Sequence, residues 1–140
     1  MNLHKLTLYL VAGILFSFST AAEEKMPPKI AEFFATEIPN VEFKESSLID
    51  ALDFMRIKIR DTRPDGPGIS AILSLGDGKD VNPRGFTYSR EEVTLDQFFS
   101  DLANHFNIQI HVTPHGLVIY KLEHRPEPGL TIYKTYRPEK

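Results

Sequence analysis

The chain reads as an α+β protein in which two helices pack on small mixed or antiparallel sheets, and three patterns point there. Residues 94–106 place Leu95, Phe98, Phe99, Leu102, Ala103 and Phe106 at i, i+3, i+4, i+7, i+8 and i+11, with Asp96, Gln97, Ser100, Asp101 and Asn104 between them. That is one apolar helical face opposite a polar one. Leu48, Ala51, Leu52, Met55 and Ile59 draw a second such stripe. Finally, Ile108, Ile110 and Val112 alternate with Gln109 and His111 before Thr113-Pro114-His115-Gly116 and a second apolar run at 117–121. Alternation, a turn and a further run describe a hairpin with one buried face.

The elements follow in order. Pro28 opens a short helix over 28–36, with Ile30, Phe33 and Phe34 on one side. Residues 38–43 form a strand, and Pro39 suits an edge or a strand beginning. Ser47, with Asp50 three positions on, caps the first long helix. Phe54 and Ile57 widen its stripe, so cover on two sides is expected. The helix is expected to end near Arg60, because residues 61–68 (DTRPDGPG) are dense in turn formers. A strand at 69–75, a polar loop at 76–85 and a strand at 86–89 come next. Thr94 with Gln97 then begins a capping box for the second long helix. The predicted order is β-α-β-β-α-β-β, a β-α-β unit made twice and closed by a hairpin.

Length and charge bound the rest. At 140 residues, 41% hydrophobic and 25% charged, the chain has room for one ordinary globular domain. The net charge of -3, with both signs scattered, offers no basic stripe for nucleic acid. Residues 1–22 have the parts of a secretory signal peptide. Lys5 and the amino terminus are followed by an apolar run at 6–18 and small residues at 19–22. The run is short for a permanent span, so cleavage after Ala21 or Ala22 is expected, with a retained anchor as the other outcome. After cleavage no membrane span is expected. The chain has no cysteine, hence neither disulfides nor a lipid-bearing amino-terminal Cys. A periplasmic or secreted protein fits these features. The expected organisation is a signal peptide at 1–22, a lead-in with a short helix at 23–37, a domain at 38–122 and a tail at 123–140 with an extra strand.

The two units, VEFKESSLIDALDFM and FTYSREEVTLDQFFSDLANHFNIQIHVTPHGLVIY, resemble the short amino-terminal (STN-type) domain shared by secretins and TonB-dependent receptors. Similarity runs over roughly 38–122 and rests on core and cap positions. It is closest to versions that carry an insertion like 61–68 after the first helix. The tail from Leu130 to Pro138 is similar to the strand that begins the next domain in secretin-like proteins. The resemblance implies a free-standing module whose relatives bind envelope proteins or small periplasmic ligands. Pore formation is not carried over.

Little in the chain suggests reaction chemistry. His105, His111 and His115 lie close in sequence, but sites on a helix margin, a polar strand face and a turn read as scattered surface histidines rather than zinc ligands. Asp61, Asp65, Asp77 and Asp80 miss the calcium-loop spacing. There is no cysteine, no G-x-S-x-G and no serine with a positioned base. No catalytic residue, metal or cofactor is therefore expected. The aromatics largely fit core positions, apart from Tyr120, Tyr133 and Tyr136. These either pack the tail or mark, with Leu117, Val118 and Ile119, an exposed edge that takes a partner strand. The functional expectation is a non-enzymatic interaction module with an envelope protein partner, in a secretion, pilus or receptor-signalling assembly, with self-association also open to it. The alternative is a sensor of small ligands or peptidoglycan fragments, using a cleft between the loops at 61–68 and 76–85.

Overall fold

The computed structural model describes residues 22–23, 25–75, 82–126 and 128–139. The expected signal peptide lies outside them except for Ala22, as does most of the loop at 76–85. Eight strands and three helices are described: β1 (Ala22–Glu23), α1 (Pro28–Phe34), β2 (Glu37–Ser46), α2 (Leu48–Thr62), β3 (Ala71–Ser74), β4 (Phe86–Thr94), α3 (Leu95–Phe106), β5 (Ile108–Thr113), β6 (Gly116–Lys121), β7 (Thr131–Ile132) and β8 (Lys134–Tyr136). From β2 to β6 the order is the predicted β-α-β-β-α-β-β, and the fold is α+β.

The helices begin where their caps dictate. Ser47 Oγ accepts from the Asp50 amide at 3.1 Å, and Thr94 Oγ1 accepts from the Gln97 amide at 3.1 Å. Gln97 spends its own side chain on Asp101 instead of closing a capping box. α3 stops at Asn107, whose left-handed conformation (φ 56°) caps its carboxy-terminal end. α2 runs to Thr62, two residues past Arg60, because Pro64 restricts only the residue before it.

β2 and β4 pair antiparallel as a two-stranded ribbon, from Glu37 opposite Thr94 to Ser46 opposite Phe86. β4 extends five residues beyond the predicted strand, since Arg90, Glu91 and Glu92 continue the ladder on its solvent side. The remaining large sheet has the order β3-β6-β5-β8, with β3 parallel to β6 and the other neighbours antiparallel. One face of this sheet meets the helices in a core built from Phe98, Phe99, Leu102, Met55, Ile110 and Ile119. Phe34 of α1 joins it against Phe99 and Tyr136. The start of the expected lead-in is paired too, since β1 lies parallel to β7.

Two expectations about burial, one in this sheet and one on α2, are corrected. β5 is buried on both faces, not one: His111 is 1% exposed, and Gln109 is fully buried. Gln109 Nε2 donates to the carbonyls of Lys121 and His124, so the chain after β6 folds across the second face. Alternation exposed the polarity of that face but not the segment that covers it. Ile57 is half exposed, so the outer side of α2 is open, although Phe54 packs on Phe43 at 4.9 Å. Among the described residues no helix is long and apolar enough to cross a membrane.

Candidate functional site

The expected docking edge at Leu117, Val118, Ile119 and Tyr120 is β6, and β6 lies inside the sheet. β3 pairs with it on one side through Ala71–Leu117 to Ser74–Tyr120, and β5 pairs with it on the other. A strand bonded along both edges cannot accept a third, so these four residues offer no edge. Leu117 and Ile119 belong to the core, and the Tyr120 ring is stacked with His124.

The other two tyrosines hold the tail down. The Tyr133 amide donates to the Val112 carbonyl at 2.8 Å, and its ring packs on the core. Tyr136 is buried on β8, and its hydroxyl donates to Asp96 Oδ1 at 2.8 Å. Burial first, and then this bond to a carboxylate, push the phenol pKa well up. Lys134 bonds the same oxygen. Burial of Asp96 works toward a higher pKa, but the hydrogen bonds from Lys134 and Tyr136 and the lysine's charge outweigh it and hold the carboxyl below its usual range.

The histidines are dispersed in space. His111 lies between Thr135 Oγ1 (2.9 Å from Nδ1) and Gln109 Oε1 (3.1 Å from Nε2). Gln109 Oε1 can only accept, so Nε2 carries the proton and Nδ1 accepts from the threonine hydroxyl. Burial, and secondarily the charge of Arg137, lower the His111 pKa from its ordinary value. The surface reading of His111 is thus corrected to a buried, neutral, bonded ring. His105 and His115 are exposed on a helix end and a turn. Among the described residues no three His, Asp, Glu or Cys side chains converge as metal ligands would.

The described parts of the two long loops do not face one another. Asn82 Oδ1 and the Pro83 carbonyl accept from the amides of Ile49 and Leu48, at the amino-terminal end of α2. Residues 63–68 follow its carboxy-terminal end, about 20 Å away along a helix of this length. A real groove lies elsewhere. Ile30, Phe33 and Phe34 of α1, Gly68–Ser70 and the β5–β6 turn enclose about 190 Å³ at the end of the large sheet. A second, 340 Å³ depression beside Met26 and Phe34 ends on Asp96 and Lys134, which already satisfy each other.

What remains is β3. It is a terminal strand of the large sheet, with β6 on one side and no described strand on the other. Leu117 N–H donates to Ser70 O at 2.8 Å, so the backbone groups of Ser70, Ile72 and Ser74 turn toward β6. By alternation the N–H and C=O of Ala71 and Leu73 point outward. Ile72 is 65% exposed, the largest exposure among the big apolar residues described. No charged residue occurs between Asp65 and Asp77. Reasoning from sequence placed the edge at the hairpin's second strand because the strand order is not encoded in periodicity. The signal available was the uncharged ISAILSL run beside two loops.

Gly116 secures the other side of β3. A side chain there would put Cβ 2.5 Å from Ser70 O, at a φ of +133°. Only glycine lets the hairpin tip approach the chain entering β3 this closely.

No protein-family model, curated protein or solved structure matches the chain.

Proposed function

We propose that this protein is a non-enzymatic interaction module of the cell envelope that takes an extended protein segment along the outer edge of β3. The observation that carries the reading is the edge itself: uncharged, with outward backbone groups at Ala71 and Leu73 and a bare Ile72. Strand addition satisfies such groups directly, and side-chain pockets then supply specificity. The residues leading into β3 wall the 190 Å³ groove, which has room for one side chain of an added strand. A periplasmic or secreted location rests on the signal-peptide pattern at 1–22, and the module type on the resemblance to STN-type domains. The groove is smaller than the roughly 300 Å³ at which pockets take drug-sized ligands, and the polar groups of the 340 Å³ depression, Asp96 and Lys134, are spent on each other, which together weigh against a sensor of peptidoglycan fragments.

The test is capture from a periplasmic extract with wild type and Ala71→Pro side by side. Proline at 71 removes an outward N–H and leaves the β6 ladder intact. Protein bound by wild type and lost by an equally stable Ala71→Pro variant supports the reading. Equal capture by both moves the docking surface away from β3.

A further inference from the structure

The β3 edge is its own complement. Resting on the edge-docking reading above, we propose that the strand it takes is β3 of a second copy, antiparallel, with Ile72 on the two-fold axis. The outward-pointing residues, Ala71 and Leu73, stand symmetrically about Ile72. In an antiparallel pair centred on Ile72, Ala71 faces the second copy's Leu73 and Leu73 faces its Ala71. Both are hydrogen-bonded positions of the ladder, so every outward group finds a partner. Ile72 then meets its own copy at the intervening position, where side chains come closest.

The flanks agree with this register. Ser70 falls opposite Ser74 of the second copy, two small side chains that let the backbones approach. No charge occurs from residue 66 to residue 76, so the symmetric arrangement sets no like charges against each other. An isologous contact of this kind closes after two copies and leaves no further edge of the same type. The two sheets become one of eight strands, running β8-β5-β6-β3 and back through the second copy. Four residues bury less than a standard interface, so the dimer is weak and forms only in concentrated protein.

The absence of cysteine makes the register directly testable. The Cα atoms of a non-hydrogen-bonded pair lie about 4.5 Å apart, inside the roughly 4.4–6.8 Å that a disulfide spans. Ile72→Cys should therefore oxidise to a covalent dimer more than about tenfold faster than Leu122→Cys, an exposed control held in no such geometry. Ala71→Cys and Leu73→Cys should each cross-link poorly alone and well when mixed. Wild type should sediment as a concentration-dependent monomer–dimer mixture, with the Ala71 and Leu73 amides gaining protection from exchange as concentration rises. A wild type that stays monomeric at every concentration, or an Ile72→Cys rate no higher than the control, overturns self-pairing. If Ala71→Pro still loses its captured protein in that case, the edge reading survives with a foreign strand as occupant. If capture is also unchanged, both readings fall.

Discussion

The β2–β4 ribbon and the β3 edge treat the same hazard in opposite ways. The ribbon has two outer edges and is heavily guarded. Glu37, Glu42, Lys44, Glu45, Arg90, Glu91 and Glu92 are exposed along it, and Pro39 interrupts its donors. Asn40 and Glu45 take left-handed conformations (φ 53° and 47°), and the register slips by one residue between Phe43 and Ser46. Glu92 meets the Glu37 carboxyl across the ribbon; a hydrogen bond that its protonated form donates to Glu37, and then the like charge, raise its pKa. β8 is three residues long, begins with Lys134 and is followed directly by Arg137. Charges, prolines, bulges and shortness are the means by which folds keep strand edges from pairing. Among the described residues, β3 has shortness as its one protection. An edge left uncharged in a molecule that guards the others is the basis for assigning it a partner.

The contrast can be tested from its structural side first. Phe43 is the ribbon's anchor, packed against Phe54, Phe86 and Phe98 at 4.9–5.9 Å. Phe43→Ala should cost about 3–5 kcal/mol in chemical denaturation, the usual loss for a buried aromatic. Gly116→Ala should cost about 2–3 kcal/mol, because its strained φ is compounded by the clash with Ser70 O, and it should loosen β3 in hydrogen exchange.

Acid should act through the covered face of the sheet. His111 has a lowered pKa in the folded chain, so near the ordinary value of about 6.5 the unfolded chain takes up the proton first. The stability present above that pH is therefore lost as pH falls toward the folded pKa. Asp96 is also lowered, and its contribution is lost in a separate window, below the ordinary carboxylate range. Thermal unfolding followed from pH 8 to pH 3 should show both declines, and His111→Gln should remove the upper one.

The smallest effect on stability belongs to the edge. Ile72→Lys should change unfolding free energy by no more than about 0.5 kcal/mol, as for other exposed positions, while abolishing association. A large loss of stability would mean that Ile72 is held by packing and is not a free edge.

The sequence by itself determined the local elements. Ser47 and Thr94 set where the long helices start, the stripes from Leu48 and Leu95 set which faces are buried, and Thr113 to Gly116 set the hairpin. Each signal lies within a few residues of the structure it specifies, and backbone sterics or hydrogen bonding reads it directly. Tertiary structure decided which strands are neighbours. β3 reaches β6 across more than forty residues, and that pairing moved the free edge from Leu117–Tyr120 to Ala71–Ser74. It also decided that Gln109 and His111, polar in an alternating strand, lie under the chain that follows β6 instead of in water. An apolar strand reads the same in sequence whether one of its edges is paired or both are, because alternation reports the two faces of a sheet and says nothing about its edges.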